Sequence, residues 1–172
     1  MNARGLRILV AASLALGLSS TPFVARGDSD DPAAIAKFLS IGFANAHDGF
    51  MALRGQRLTD EIYRASEWPD HTHFITCLVL FSKTLSAYVY ACTSTARSES
   101  FNALFNMASD AVQANLPGGY TSGPVDQGGG SGAVSQMWSR AGYPYVLLTE
   151  KTNGADDQPE YTIAITASPA SN

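Results

Sequence analysis

Two apolar runs rich in β-branched and aromatic residues, 73–81 and 85–93, lie on either side of a short polar segment, and each contains one of the two cysteines. This pattern predicts a β-hairpin. If its tip lies at Thr84-Leu85, Cys77 and Cys92 occupy facing positions, within disulfide reach on neighbouring strands. The bond would close a ring of 16 residues, which is worth about 3 kcal/mol in the chain-entropy model. The sequence therefore predicts a Cys77–Cys92 disulfide inside a β-sheet.

Both faces of this hairpin are apolar. The alternation places Ile75, Val79, Phe81, Tyr88 and Tyr90 on the cysteine face, and Phe74, Leu78, Leu80, Val89 and Ala91 on the other. A strand that is buried on both sides is normally central in its sheet. We therefore expect one face to meet the helices, and the other to be covered by a further element or to bind a partner.

Amphipathic stretches predict one helix before the hairpin and one after it. Apolar residues recur at intervals of three and four from Asp31-Pro32 onwards, which favours a helix over roughly 32–53. Ser98-Glu99 suits the start of a second helix, and Leu116-Pro117 its end. Residues 118–133, which are rich in glycine, predict a long mobile loop.

The remaining segments complete the predicted fold class, which is α+β. Further strands are expected at 62–66, 134–141, 145–151 and 161–167. The expected architecture is an antiparallel sheet of about five to six strands packed by two helices. Its expected order along the chain is α–(β)ββ–α–βββ.

The first 27 residues have the three parts of a secretory signal. Arg4 and Arg7 precede the apolar run 8–18, and Ala25-Arg26-Gly27 provides small residues for cleavage. The apolar run has roughly half the length that spans a bilayer. We therefore predict a signal peptide over 1–27, a single domain over 28–172, a periplasmic or extracellular location, and no stable membrane insertion after cleavage.

Charge excludes some classes of partner. Cleavage would remove Arg4, Arg7 and Arg26, so Lys plus Arg falls from 11 to 8 against 15 acidic residues, and the net charge changes from −4 to −7. Nucleic-acid binding relies on Lys and Arg, so no nucleic acid is expected as a partner. The chain also lacks a basic cluster for anionic lipid.

The candidates for chemistry are few. Asp70-His71-Thr72-His73 could hold zinc if both imidazoles shared a strand face, but a solvated turn is the commoner structure for such a cluster. His47 and Asp48 are adjacent in a predicted helix, so their side chains point apart. Ser131 lies in a glycine-rich segment without the final glycine of a nucleophile elbow. We therefore predict no catalytic residue, no metal site and no cofactor.

Aromatic side chains indicate a binding surface instead. Tyrosine and tryptophan suit contact surfaces that are partly wet, although they also fill cores and cover sheets. The candidate surface residues are Trp68, Tyr88, Tyr90, Tyr120, Trp138 and Tyr143, with Tyr145 beside them.

Several short motifs carry a resemblance. They are Leu53-Arg54-Gly55, Cys77, Tyr90-Ala91-Cys92 and the helix end Leu116-Pro117-Gly118-Gly119-Tyr120. In this order the chain resembles small uncharacterised secreted proteins of Gram-negative bacteria over most of its mature part. It is also similar in outline to small periplasmic proteins that neutralise toxins. The resemblance implies a two-helix, antiparallel-sheet fold and supplies no activity.

Two functions remain open at this level. The first is an exported, soluble, non-catalytic protein that binds another protein, either as an antitoxin-like protein or as a factor of the cell envelope. The alternative is a small periplasmic hydrolase or a protein that binds a small ligand or metal, which requires His47, His71 or His73 to converge with carboxylates. The apolar hairpin face and the loop 118–133 are the expected contact regions, because loops on a rigid sheet often carry recognition.

Export gives a direct test of the predicted signal peptide. Protein recovered from the envelope or the medium should begin at Asp28, or within a few residues of it, when its N-terminus is sequenced. A product that stays in the cytoplasm and begins at Met1 would contradict the predicted location.

Overall fold

The computed structural model describes residues 31–94, 99–127, 132–153 and 158–167, so the predicted signal peptide lies outside the described residues. The described residues form two α-helices, α1 (Asp31–Asn45) and α2 (Phe101–Asn115). The strands are β1 (Arg54–Arg57), β2 (Ile62–Ala65), β3 (Phe74–Ser82), β4 (Ala87–Ser94), β5 (Thr121–Ser122), β6 (Ala133–Ser139), β7 (Val146–Asn153) and β8 (Gln158–Thr166).

All eight strands form one antiparallel sheet, in the order β1-β2-β3-β4-β8-β7-β6-β5. Each half of the chain therefore consists of a helix followed by a four-stranded meander, and β4 and β8 join the halves. The α+β class with two helices is as predicted, but the strand count exceeds the expected five to six. The additional strands are β1 and β5, which are short, polar and exposed, so no apolar alternation marks them.

The register of the β3–β4 hairpin confirms the predicted pairing of the cysteines. Cys77 faces Cys92, their Cα atoms are 4.1 Å apart, and the two form a disulfide with both side chains buried. A register shift between Phe74 and Thr76 alters the predicted faces at the start of β3. Phe74 consequently lies in the core and Ile75 is exposed, because a bulge turns the side chains that precede it to the other face.

The helices pack on the cysteine face, where the hydrophobic core lies. Phe38 of α1 stacks on Tyr90 of β4, with ring centroids 4.9 Å apart. Gly42 lets α1 approach β8 closely, since a Cβ atom there would lie 2.6 Å from Cγ2 of Ile165. A polar side chain of α2 also contacts the sheet. Trp138 of β6 donates its indole N–H to Gln113 of α2 at 2.9 Å.

The first helix ends earlier than the predicted residue 53. After Asn45 the chain makes two 3-10 turns, and Gly49 and Phe50 between them have φ angles of 69° and 62°. Left-handed backbone of this kind interrupts a helix. Arg54 fastens the segment, since it donates to the Gly49 carbonyl at 3.0 Å and its guanidinium lies 3.7 Å from the centre of the Tyr88 ring.

The predicted loop 118–133 has more structure than expected. Its described part includes β5, which pairs with Ser139 and Trp138 of β6, and a bridge between Asp126 and Ser135. The segment thus extends the edge of the sheet instead of forming a long free loop. Residues 128–131 of this loop lie outside the described residues.

Removal of the disulfide should lower stability without changing the fold. We expect the double variant Cys77→Ala/Cys92→Ala to lose about 2–5 kcal/mol in the free energy of unfolding, because a closed loop constrains the unfolded chain. Urea denaturation with and without reductant measures this loss. Reductant should destabilise the wild type and leave the variant unchanged, whereas two free thiols in the intact mass of the exported protein would contradict the bond.

Candidate functional site

One face of the sheet is covered by α1 and α2. Among the described residues neither helix packs on the other face, which we call the open face. The side chains at its centre are half-buried among their own neighbours. They belong to five adjacent strands, from β3 to β6 in sheet order. A sheet of this size with a single helical layer leaves many side chains in contact with solvent.

The strand register arranges the centre of the open face in two parallel rows. The apolar row is Leu78, Ala91, Ala164, Leu147 and Met137, one residue from each of β3, β4, β8, β7 and β6. The hydroxyl row beside it is Thr76, Thr93, Thr162, Thr149 and Ser135. The Thr93 and Thr162 hydroxyls are hydrogen-bonded at 2.9 Å. Neighbouring strands are about 4.8 Å apart, so each row extends for roughly 19 Å across the sheet.

Charge is confined to the border of these two rows. Lys151 and Glu160 face each other beyond the hydroxyl row and form an ion pair at 3.2 Å. Arg64 of β2 is exposed and faces Leu78, at the β3 end of the apolar row. An apolar centre with hydroxyl and charged groups at its margins has the composition of a protein contact surface.

Three of the predicted surface aromatics belong to the core. Tyr90, Tyr120 and Trp138 are at most 8% exposed. The hydroxyls of Tyr90 and Tyr120 donate to the carbonyls of Glu67, at 3.2 Å, and Pro144, at 2.7 Å. Buried aromatic residues with satisfied polar atoms serve packing, so these three residues do not form an exposed contact surface in this structure.

The other predicted aromatics lie in separate places. Trp68 is half-buried and stacks on His71, with ring centroids 4.7 Å apart. Tyr88 is half-buried beneath Arg54. Tyr143 is exposed in the β6–β7 turn, where Arg140 lies 3.8 Å from its ring centre. The structure therefore does not bring the six predicted residues together, and the pairing register places none of them in the two central rows of the open face.

A row of buried polar groups lies on the covered face. Ser94, Tyr161 and Glu150 occupy facing positions on β4, β8 and β7. The Tyr161 amide donates to the Ser94 hydroxyl at 2.9 Å. The Tyr161 hydroxyl shares a hydrogen bond with Nε2 of His73, which is also buried. Polar side chains in a core are costly unless they are paired, so this row is a specific feature of the domain.

Glu150 is the exceptional member of this row. Its side chain is fully buried, and neither carboxylate oxygen has a hydrogen-bond partner among the described residues. Burial raises the pKa of Glu150 to about 7, and the nearby Phe105 amide lowers that pKa without completing a hydrogen bond. Glu150 is not among the site residues predicted from the sequence. The available signal was the alternation of Val146 and Leu148, which places Glu150 at the next core position.

The histidines do not form the predicted alternative site. The Thr72 hydroxyl and backbone amide both donate to Asp70 at 2.7 Å, and the hydroxyl bond is the main cause of a lowered pKa for this carboxyl. His71 is exposed whereas His73 is buried, so the two rings do not share an environment. His47 and Asp48 are exposed in a 3-10 turn, and Ser131 lies outside the described residues. Across the described ranges, no group of three potential ligands could hold a metal ion.

Comparison of the chain with protein-family models, with curated proteins and with solved structures finds no match. Among the helices in the described part of the chain, none is long and apolar enough to cross a membrane.

Substitutions of His73 and His71 test whether the buried imidazole stabilises the fold and the exposed one does not. We expect His73→Ala to lower the free energy of unfolding by about 2 kcal/mol, because it removes a buried hydrogen bond and leaves a cavity. The matched change His71→Ala, at an exposed ring, should stay within about 0.5 kcal/mol of the wild type. Chemical denaturation of both variants measures the difference, and equal effects would show that the two rings have similar surroundings.

Proposed function

We propose that this chain is an exported, non-catalytic domain that binds another protein through the open face of its sheet. The observation that carries the proposal is the one-sided layering. Both helices of the described residues pack on the cysteine face, and neither lies over the apolar row Leu78, Ala91, Ala164, Leu147 and Met137. Apolar surface that is rimmed by polar residues is typical of protein contact sites.

Two observations support export. The pattern of residues 1–27 is that of a cleavable signal. The Cys77–Cys92 disulfide favours an oxidising compartment, because thiols are kept reduced in the cytosol of most cells. The proposed location is therefore the periplasm or the cell exterior, with residues 28–172 as the mature single domain.

The chemistry of the chain supports a protein partner over other classes. The net charge of −7 after cleavage disfavours nucleic acid and anionic lipid. The three histidines have different surroundings, which weakens the alternative of a hydrolase or a ligand-binding protein. An antitoxin-like protein and a factor of cell-envelope assembly both act by holding a partner, so both are compatible with this surface.

Site-specific photo-crosslinking in the producing cells tests the contact surface. We expect a photoreactive residue at Leu147, in the apolar row, to form a discrete adduct with a second polypeptide. The matched control position is Leu58, which is exposed between β1 and β2 and lies away from the two rows. Adducts from Leu58 at the same yield, or none from Leu147, would contradict binding through the open face.

A further inference from the structure

Two buried glutamates on neighbouring strands have opposite environments. Glu160 of β8 is 7% exposed, lies on the open side and forms an ion pair with Lys151. Glu150 of β7 is fully buried on the covered side, and its two oxygens have no hydrogen-bond partner in the described ranges. Because an unpaired carboxylate is costly to bury, a carboxyl group in the position of Glu150 favours its neutral form.

The elements packed around Glu150 offer no compensating cation among the described residues. Tyr161 faces it from β8 and Val134 faces it from β6. From α2 the Phe105 amide lowers the pKa of Glu150. The titratable groups of this region are Tyr161 with its partner His73, and Glu99 just before α2, which has a buried oxygen that lacks a partner. Asp110 of α2 is exposed, and the Lys151–Glu160 pair lies on the opposite face.

We propose that Glu150 is a proton-controlled latch that holds α2 against β7 and β8. With the carboxyl group neutral, the first half of α2 packs over it. When the group ionises, its charge must reach water. In the described part of the chain α2 packs against β7 and β8, and its displacement would leave the strand pairing intact. The latch therefore closes in acid and loosens as the pH rises.

The direction of the effect follows from proton linkage. The folded domain binds the Glu150 proton more tightly than the unfolded chain, since the pKa is raised from 4.5 to about 7. The stabilisation is fully present below the unfolded pKa and is lost as the pH rises through the folded pKa. From these two values, the contribution of Glu150 to the folded-to-unfolded equilibrium constant should fall about 70-fold between about pH 5 and about pH 8.

Urea denaturation of three forms tests the latch. The fall in the equilibrium constant between these pH values should be about 70-fold larger in the wild type than in Glu150→Gln, to within about a factor of ten, because the amide does not ionise in this range. Glu160→Gln is the matched control, and its equilibrium constant should fall with pH as much as that of the wild type. If Glu150→Gln retains the wild-type pH dependence, or Glu160→Gln loses it, the proposal is overturned.

Two measurements on the wild-type chain keep the proposal testable if Glu150→Gln does not fold. The Glu150 carboxyl carbon, followed by NMR, should titrate with a midpoint near pH 7, and a midpoint near 4.5 would overturn the latch. Amide hydrogen exchange, corrected for intrinsic rates, should show that α2 loses protection at alkaline pH before the β3–β4 hairpin does. Equal loss in both elements would contradict α2 as the part that moves.

Discussion

The pairing of β4 with β8 is the interaction on which the rest of the structure depends. Each half of the chain is a helix and a four-stranded meander, and the apolar face of each must be buried against another element. Tyr90 faces Ile165 and Cys92 faces Ile163 across this junction. The four side chains are fully buried, so the two meanders share one core beneath both helices.

The same junction creates the two features that bear on function. Because both helices lie on one side, the side chains of β3, β4, β8, β7 and β6 that point the other way form a continuous face. On the covered side, the sheet brings Tyr161 and Glu150 together beneath α2. The disulfide fixes the β3–β4 register, so it also fixes which residues of that hairpin point to each side.

The sequence predicts the class and the hairpin well because local rules determine them. Cysteine positions and the hairpin tip were enough to give the register of Cys77 and Cys92. The predicted end of α1 is wrong. Phe50 continues the apolar stripe of the sequence, but Gly49 and Phe50 adopt left-handed backbone, which interrupts the helix. Strand β1 was missed because its residues are polar and exposed, and its pairing depends on the position of β2.

The candidate site was predicted only in part. The sequence predicts that one apolar face of the hairpin meets the helices, but it does not specify which one. The continuation of the Leu78 and Ala91 face through Leu147 and Met137 depends on sheet order, which the local pattern does not specify. Aromatic content alone does not distinguish a contact surface from a core. Tyr90 and Trp138, which are candidates for the surface by composition, fill the shared core.

Solvent access to methyl groups on the two faces of the sheet tests the one-sided layering most directly. A soluble paramagnetic agent should broaden the NMR signals of the Leu78, Leu147 and Met137 methyl groups, which lie on the open face. The methyl signals of Leu148 and Ile163, which lie under the helices, should stay sharp. Equal protection of both sets would show that the open face is covered and would contradict the proposed binding through it.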